Sequence, residues 1–440
     1  MTAAEDKLRR EGLPEEAVAA FRRLYDQLTA GASGMLPDES LEPVRDLPSL
    51  AELPRPGRCP RLSRACVIKL NGGLGTSMGL ERAKSLLEAR DGLSFLAVIA
   101  RQVGALRERH GVRLPLVLMH SFRTREDSLS ALGGMPDVLD FLQHKVPKLR
   151  ADNLEPVEWP ADPALEWNPP GHGDLYASLL ASGTRDALLE QGIRYAFVSN
   201  SDNLGAILDP VILEWFADTG APFAMETVIG TEADRKGGHI AWRDGRLVLR
   251  ETAQAPDPVS FQDFRRWRYY NTNNLWVDLE ALTEAPDLPL IVNRKTVDPS
   301  APRSIPVIQA ETAMGAAIGV FEGARALCVP RSRFVPVKTT DDLLALRSNV
   351  YRLLPDGRVA GVAEPPFIAL DPAYFKLIGD FEARFPHGPP SLRHCRRFVV
   401  RGDVTFGRGV VARGRVEVCA DVPDDTVLEG VYRGALEPTR

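Results

Sequence analysis

Glycine and lysine residues between Val67 and Lys84 have the types and spacing of a phosphate-binding loop. An apolar, β-prone run that begins at Val67 ends at Gly72, Gly73 and Gly75. Glycine lets the backbone take unusual dihedral angles and approach a ligand closely, and successive free N–H groups in such a turn form an anion site. Lys84 could then meet a phosphate as a point charge. A tight turn followed by an exposed lysine explains the same residues equally well.

The segment matches neither of the two familiar glycine motifs. The dinucleotide motif G-x-G-x-x-G would begin at Gly73, but Met78 occupies its third glycine position. The P-loop has glycine directly before its lysine, whereas Ala83 precedes Lys84. This spacing argues against a hydride-transferring dehydrogenase and leaves a phosphate loop of another kind.

Polar residues in three further segments could contact a phosphorylated substrate. His172 lies in a glycine-rich turn before a predicted helix, a place that attracts phosphate or the edge of a base. A metal pair with Asp174 is disfavoured because no third ligand is nearby. Asp202 follows a predicted strand and could hold Mg²⁺ between phosphates, although an Asx turn explains this segment slightly better. Asn271 and Asn273 carry amides that suit sugar hydroxyls, or else form a polar turn.

Two other segments could complete such a site. Gly237, Gly238 and Glu251 could supply a second wall that faces a sugar. Lys338 shares nine residues with two arginines, Arg331 and Arg333. Because apolar and hydroxyl residues flank Lys338, we expect it to be less solvated than either arginine.

The composition indicates a folded protein of two or three domains without a membrane span. Of 440 residues, 44% are hydrophobic and 26% are charged, and the net charge of −5 argues against bulk nucleic-acid binding. The first residues have no apolar signal segment, and no run of about 18 apolar residues occurs. Five scattered cysteines favour reduced thiols. We therefore expect a cytoplasmic protein with no membrane or nucleic-acid partner.

Short apolar runs alternate with longer periodic segments from residue 64 to residue 349, which predicts βαβ units and a mostly parallel, Rossmann-like α/β sheet. The predicted strands are Ala65–Leu70, Leu114–Met119, Tyr195–Ser199, Pro222–Glu226 and Ala326–Val329. The predicted helices are Leu13–Leu28, Phe95–Leu106, Thr124–Leu132, Gly173–Ser182 and Ala310–Phe321. Ligands of such sheets bind beyond the carboxyl ends of the strands, and Leu70 and Ser199 mark two of these ends.

Three segments follow from the pattern: a helical lead-in and linker over 1–60, an α/β domain over 61–350, and a linker with a repeat over 351–440. The repeat places an apolar residue at every sixth position, which is typical of a hexapeptide β-solenoid that packs on the main domain or on another subunit. A pair of β-hairpins is the plainer alternative. The repeated residues are Leu392, Phe398, Val404, Val410, Val416, Val422 and Leu428.

Taken together, six segments resemble the eukaryotic-type UTP–glucose-1-phosphate uridylyltransferase family, the UDP-glucose pyrophosphorylases. The C-terminal repeat is similar to the family's left-handed β-helix. The six segments occur in the family's order, and they are Leu70–Gly79, Pro169–Asp174, Val198–Gly205, Asn271–Trp276, Glu311–Ala316 and Val329–Thr340.

The resemblance implies that residues 61–350 make UDP-glucose and pyrophosphate from UTP and glucose 1-phosphate, by in-line attack on the α-phosphate with Mg²⁺. It implies roles for individual residues: Lys84 and Lys338 are catalytic, and Asp202 binds the metal and UTP. The other implied UTP contacts are Leu70, Asn71, Gly72, Gly73, Gln143 and Gly171. The implied sugar-phosphate contacts are His172, Asn200, Ser201, Asn271 and Asn273, and Glu251 is added from the second wall.

The chemistry fits this assignment, because a phosphate oxyanion is already a nucleophile and needs no general base. One departure is that Glu81-Arg82-Ala83 replaces the family's usual Lys-Gly-Pro before the lysine; the charge of Arg82 could partly replace that of the missing lysine. A broader UDP-sugar pyrophosphorylase and a non-catalytic nucleotide-sugar-binding regulator remain alternatives. Self-association through the terminal solenoid is a further hypothesis.

Overall fold

The computed structural model describes residues 2–434 as a mixed α/β protein. Its helices are α1 (Ala3–Arg10), α2 (Glu15–Thr29), α3 (Phe95–His110), α4 (Arg125–Ala131), α5 (Leu175–Ala181), α6 (Thr184–Glu190), α7 (Pro210–Thr219), α8 (Pro258–Phe261), α9 (Thr340–Arg347), α10 (Pro372–Phe375) and α11 (Ile378–Arg384). Its first twelve strands are β1 (Glu42–Pro43), β2 (Ala65–Asn71), β3 (Glu88–Arg90), β4 (Leu93–Ser94), β5 (Leu116–His120), β6 (Val138–Leu142), β7 (Val146–Pro147), β8 (Leu149–Arg150), β9 (Trp167–Asn168), β10 (Tyr195–Asn200), β11 (Phe223–Ile229) and β12 (His239–Arg243). The remaining strands are β13 (Arg246–Arg250), β14 (Tyr269–Asp278), β15 (Ile291–Thr296), β16 (Pro306–Glu311), β17 (Arg325–Cys328), β18 (Tyr351–Leu353), β19 (Val359–Gly361), β20 (Phe367–Ala369), β21 (Ser391–Val400), β22 (Val411–Val418) and β23 (Val427–Tyr432).

The central sheet has the order β1-β12-β14-β10-β2-β5-β6. Strands β10, β2, β5 and β6 run parallel, and β14 joins them antiparallel and leads to the parallel pair β11 and β17. Six of the seven residues of β2 are buried, as expected for a strand covered on both faces. The prediction of a mostly parallel central sheet is confirmed.

The register of the parallel strands brings the candidate site residues to one edge. Asn200 of β10 pairs with Leu70 of β2, and Asn71 of β2 pairs with His120 of β5. The two predicted strand ends are therefore neighbours at the carboxyl edge, where ligands of such sheets bind.

Most predicted elements occur within a few residues of their expected limits, and Ser94 caps α3 by accepting a hydrogen bond from the Ala97 N–H.

The prediction of a helix over Ala310–Phe321 is wrong. Its first residues end strand β16, and only a 3₁₀ turn, Met314–Gly319, follows. Gly315 packs so closely that a Cβ there would lie 2.8 Å from Leu249 and 3.0 Å from the amide of Asn271. Close packing, rather than helix propensity, determines the backbone conformation of this segment.

The N-terminal segment contains more than the predicted packing helix. Helix α1 carries a capping box between Thr2 and Glu5, and α2 contributes Phe21 to a small core with Val146 and Leu149. Strand β1 joins the edge of the central sheet beside β12. The Pro-rich stretch that follows is irregular apart from short 3₁₀ turns. Residues 2–60 thus contribute to the main sheet as well as to its periphery.

The C-terminal repeat forms a four-stranded sheet, β20-β21-β22-β23, whose neighbouring strands are all parallel. Phe398 pairs with Val416, three repeats later, and all seven residues of the six-residue repeat are buried. Parallel pairing excludes the hairpin alternative, because hairpin strands are antiparallel. The predicted linker before the repeat is itself structured and contains β19, β20, α10 and α11. The boundaries at residues 60 and 350 stay predictions.

Among residues 2–434, the structure has no helix with the length and apolar character that a membrane span requires.

Candidate active site

The predicted phosphate loop leaves the end of β2 and turns back toward Lys84. Gly75 and Gly79 both have left-handed backbone angles, with φ of 69° and 72°, on either side of a 3₁₀ turn. A Cβ on Gly75 would lie 2.7 Å from Leu80 and 3.3 Å from the side chain of Lys84. The backbone N–H of Lys84 donates to the carbonyl of Gly73 at 3.1 Å. Glycine is needed here so that the loop can close over the lysine.

Asn71 directs its side chain into the protein. Its Nδ2 donates to the Ser128 hydroxyl at 2.8 Å and lies 3.3 Å from Nδ1 of His120. The residue is almost fully buried. Asn71 can therefore offer a ligand only its backbone, which is the role that the resemblance implies for the whole stretch from Leu70 to Gly73.

Gln143 lies directly over Gly72. A Cβ on Gly72 would come within 3.0 Å of the side-chain amide of Gln143. The backbone N–H of Gln143 donates to the carbonyl of His120 at 2.8 Å. The next residue, His144, is fixed by Asp174, which accepts from its backbone N–H at 2.6 Å and lies 2.8 Å from its Nδ1. Asp174 thus ties the Gln143 segment to the loop that carries Gly171.

That loop is joined to the segment after β16 through backbone hydrogen bonds. Thr312 donates its N–H to Pro170 at 2.9 Å and accepts one from Gly173 at 3.0 Å. Gly171 has φ of 80°, and a Cβ there would overlap the Thr312 carbonyl and lie 2.8 Å from its nitrogen. No other residue fits at this position.

His172 accepts a hydrogen bond at Nδ1 from the backbone N–H of Met314, at 2.9 Å. Burial, followed by the positive charge of Lys338, lowers the pKa of His172 to about 4. At neutral pH the ring is therefore neutral, and because Nδ1 is an acceptor, its proton sits on Nε2. His172 can donate that proton to a phosphate or hydroxyl oxygen without carrying charge.

Lys84 and Asp202 form an ion pair at the carboxyl edge of the sheet. The ammonium of Lys84 lies 2.8 Å from Oδ2 of Asp202 and also donates to the backbone carbonyl of Val337. The Val337 N–H in turn donates to the Asp202 carbonyl at 3.1 Å. Three segments that are far apart in sequence, around residues 84, 202 and 337, thus meet at one point.

Asn200 and Ser201 form the turn between β10 and Asp202. The Ser201 N–H donates to the carbonyl of Leu70 at 3.2 Å, which places this turn beside the glycine loop. Ser201 is buried and Asn200 is half-buried. Both lie at the carboxyl edge of the sheet.

Asn271 and Asn273 lie on a bulge of β14. Glu226 of β11 pairs with Asn274 and Thr227 pairs with Asn271, so two residues of β14 lie outside the pairing. Asn273 takes a left-handed φ of 58°, which asparagine tolerates. Its N–H donates to Oδ1 of Asn271, and its own Oδ1 accepts from the Asn271 amide, both at 2.8 Å. The bulge fixes both amides.

Glu251 lies against Gly238, as the predicted second wall requires. A Cβ on Gly238 would be 2.7 Å from the Glu251 carboxylate. Burial raises the pKa of Glu251 to about 7, and the charge of Lys338 acts against that rise. Since the charge of Lys338 acts on both Glu251 and His172, these three residues face one region.

The prediction that Lys338 is less solvated than Arg333 is wrong. Lys338 is exposed, whereas the Arg333 guanidinium is buried and forms two hydrogen bonds to Glu226, at 2.7 and 2.6 Å. Exposure suits a cation that meets a solvated substrate. The buried arginine anchors the segment that carries Lys338.

The sequence reasoning missed the network around this buried pair. Glu226 also accepts from Asn274 and Trp276, each at 3.0 Å, and the Arg333 carbonyl accepts from Asn203 at 3.2 Å. Every bond joins residues more than forty positions apart, so no local pattern could have revealed them.

Lys69 was missed as well, although it stands two positions before Asn71. It is buried, and its ammonium donates to the Ser199 hydroxyl and to the Ala206 carbonyl, both at 2.7 Å. Burial, followed by the charge of Arg333, lowers the pKa of Lys69 to about 7. A charged residue inside an apolar strand was the available signal, because lysine is rarely fully buried without a reason.

Among residues 2–434, no cluster of three or more histidine, cysteine or acidic residues could form an all-protein metal site. Asp202 offers a carboxylate at this edge, and it is partly exposed. Mg²⁺ commonly binds through one or two carboxylates together with substrate phosphates and water. The donor set therefore fits Mg²⁺ that arrives with a triphosphate.

Known proteins resemble the chain in both sequence and structure. A family model for UTP–glucose-1-phosphate uridylyltransferase matches residues 19–413. The chain belongs to this uridylyltransferase family. A probable member from Schizosaccharomyces pombe is 40% identical over 392 residues, which cover 84% of this chain and 76% of the relative. The UTP–glucose-1-phosphate uridylyltransferase of Solanum tuberosum is 39% identical over 416 residues, which cover 89% of this chain and 85% of the relative. A UDP-glucose pyrophosphorylase from Leishmania major superposes with a TM-score of 0.93 at 41% identity, covering 98% of both chains.

The departure from the family's pattern before Lys84 leaves a backbone that proline could also adopt. Ala83 has φ of −52°, within the range that proline imposes. The side chain of Arg82 is 81% exposed and lies 4.0 Å from Asp127. The expectation that its charge partly replaces that of the missing lysine stays a prediction.

Proposed function

We propose that this chain makes UDP-glucose and pyrophosphate from UTP and glucose 1-phosphate. The observation that carries the proposal is the meeting of Lys84, Asp202 and the Lys338 segment beside the glycine loop, in a chain of the uridylyltransferase family. The relatives named above share both the family and about 40% of their sequence with it.

The nucleotide side is built from backbone and amide groups. The backbone from Leu70 to Gly73 holds the nucleotide, and Gln143 and Gly171 contact the uracil. Successive N–H groups suit phosphate oxygens, and an amide both donates and accepts, as the edge of uracil requires. These assignments agree with the position of Gln143 over Gly72.

The sugar-phosphate side is built from neutral donors and one carboxylate. Neutral His172 donates from Nε2, and Asn200 and Ser201 contribute at the strand edge. Asn271, Asn273 and Glu251 face the sugar hydroxyls. A neutral histidine is useful here because it binds a phosphate oxygen without neutralising the nucleophile.

The reaction proceeds by in-line attack of the glucose 1-phosphate oxyanion on the α-phosphorus of UTP. The new P–O bond forms as the bond to the β-phosphate oxygen breaks, and pyrophosphate leaves with the electron pair. Lys84 and Lys338 stabilise charge on the α-phosphate and on the leaving group, which is the main catalytic task in this chemistry.

Mg²⁺ is the proposed cofactor, and Asp202 is the residue that would hold it. When bound, the ion would neutralise phosphate charge. Lys84 shares a carboxylate oxygen with this site, so the lysine and Asp202 keep each other oriented toward the same phosphates.

Three further expectations complete the proposal. The parallel C-terminal strands, with a repeat of six residues, support a left-handed β-helix. Two exposed valines on its edge strand, Val427 and Val431, support self-association through this sheet, and light scattering that gives a monomer mass at all concentrations would contradict it. Five unpaired cysteines are compatible with the expected cytoplasmic location.

The decisive experiment is to mix the purified protein with UTP, Mg²⁺ and glucose 1-phosphate and to measure pyrophosphate release. Release that stops when EDTA removes the metal supports both the reaction and the cofactor. Parallel reactions with galactose 1-phosphate and N-acetylglucosamine 1-phosphate test for a broader UDP-sugar pyrophosphorylase. No release with any sugar phosphate would support the non-catalytic regulator.

Lys338→Ala is expected to lower kcat by about 10²-fold or more, because it removes a charge that stabilises the transition state. The KM values for both substrates should change less. Lys295→Ala is the matched control, since Lys295 is exposed on β15, outside the proposed site. An unchanged kcat in Lys338→Ala would refute the assignment.

A further inference from the structure

Asp38, in the N-terminal segment, is bound to three side chains that stand behind the sugar side of the site. Its carboxylate lies 2.7 Å from Nη2 of Arg250 and 2.8 Å from Nη1 of Arg266, and it accepts a hydrogen bond from the Ser260 hydroxyl. These partners are more than 200 positions away in sequence. Asp38 therefore ties the start of the chain to the hairpin of β12 and β13.

Asp38 supplies the counter-charge of Arg250. Its side chain is fully buried, and within residues 2–434 its Nε and Nη1 have no hydrogen-bond partner. The guanidinium lies between the rings of Trp267 and Phe261, at 5.5 and 5.7 Å. Asp38 is the carboxylate that pairs with this buried cation, and a buried charge is stable only when it is paired.

Arg250 is the residue directly before Glu251. In the hairpin, Arg250 pairs with His239, so Gly238 comes opposite Glu251. Glu251 continues the extended backbone, with φ of −97° and ψ of 159°. Because successive side chains of an extended chain point to opposite faces, holding Arg250 on one face fixes Glu251 on the other.

Further contacts reinforce the same link. The Leu36 N–H donates to the Gln254 carbonyl at 2.7 Å, and Gln254 accepts from the Glu251 N–H at 2.9 Å through its side chain. Leu36 and Leu41 also form a small core with Ala241 and Trp267. The segment from Leu36 to Leu41 thus holds the Glu251 turn by charge, by backbone and by apolar packing.

We propose that Asp38 is a positioning residue for the sugar-phosphate substrate: through Arg250, it sets the position of Glu251. The inference rests on the proposed function, in which Glu251 faces the sugar. It gives the N-terminal segment a role in sugar binding that leaves the nucleotide side, built on the end of β2 and the Gln143 and Gly171 segments, unaffected.

The test is Asp38→Asn, which keeps the shape of the side chain and removes its charge. With UTP saturating, the KM for glucose 1-phosphate should rise about tenfold, the effect of losing one charge-assisted hydrogen bond. The KM for UTP should change less than about twofold. Calorimetric titration should show the same split without catalysis, with UDP-glucose bound more weakly and UTP bound as before.

Two variants keep this test interpretable. Glu39→Gln removes an adjacent exposed carboxylate and should leave both KM values unchanged. If Asp38→Asn does not fold, Ser260→Ala keeps the ion pair and removes only the hydroxyl that orients Asp38, and it should raise the same KM by a smaller factor. Asp38→Glu should restore part of the sugar affinity.

Equal changes in both KM values, a fall in kcat alone, or no change would overturn the role of Asp38. A wild-type protein that releases no pyrophosphate would instead overturn the proposed function, so the two failures are distinguishable.

Discussion

At the scale of single residues, burial and the charge of Lys338 set the ionisation of the site. His172 stays neutral because burial lowers its pKa to about 4, while burial raises the pKa of Glu251 to about 7. Lys338 lowers both values. Burial thus keeps the histidine uncharged, with help from one exposed lysine, and the same lysine favours the ionised form of the carboxylate.

Glu251 should make the protein less stable at neutral pH than at mildly acidic pH. Its pKa is about 7 in the folded state against 4.5 for the ordinary side chain, so between these values the folded state binds more protons than the unfolded state. The free energy of unfolding must therefore fall as pH rises through this window, by up to about 3 kcal/mol. Urea denaturation of the wild type and of Glu251→Gln at pH 5 and pH 8 measures this difference.

The glutamine variant serves as its own control, because it cannot ionise. Its stability should change less between the two pH values than that of the wild type. Equal pH dependence in both proteins would show that Glu251 titrates in its ordinary range.

At the scale of elements, the site is assembled from loops that bind one another through backbone groups. The Gly171 loop is bound to Thr312, and the Asp202 turn is bound to Val337. Such loops leave little room for added atoms. The neighbouring loop therefore requires glycine at these positions as much as the conformation of the turn does.

Gly171→Ala should weaken UTP binding and lower the melting temperature. A Cβ at this position overlaps Thr312 and also requires a left-handed backbone. Gly183→Ala is the matched control, because Gly183 has φ of 70° but open space around its Cβ position. The control measures the backbone strain alone, which is of order 1 kcal/mol. Calorimetry should show a larger loss of stability for Gly171→Ala, and equal losses would contradict the steric argument.

How far the sequence predicts this site depends on whether the signal is local. The alternation of strands and helices placed Leu70 and Asn200 at one sheet edge correctly, because parallel strands share their carboxyl edge. The helix predicted over Ala310–Phe321 failed because its small residues serve packing. Arg333 was misjudged because its partner, Glu226, lies 107 positions away.

At the scale of the whole molecule, the C-terminal sheet and the catalytic domain share one hydrophobic core. Phe398 and Phe406 of the repeat belong to the same cluster as Leu343 of α9, which begins two residues after Lys338. Phe406 stacks on Phe385 with ring centroids 4.7 Å apart. The repeat is therefore expected to unfold together with the domain that carries the site.

Phe406→Ala should lower the free energy of unfolding by about 3–5 kcal/mol, the range for a buried phenylalanine. Because the core is shared, near-UV circular dichroism and UTP binding should be lost in a single denaturant transition. Val259→Ala, at an exposed residue of α8 outside the repeat, is the control and should have little effect. Two separate transitions, with UTP binding kept through the first, would show that the repeat is an independent unit.

The hydrogen bond from the Lys84 ammonium to the carbonyl of Val337 couples the two lysines that we propose as catalytic, since Val337 directly precedes Lys338. Neither lysine can be relocated without disturbing the other, and the energetic effects of altering both should not add. To graft this chemistry onto another scaffold, or to retune it for a different nucleoside, the segment that carries Lys84 and the segment that carries Val337 and Lys338 would have to be moved together.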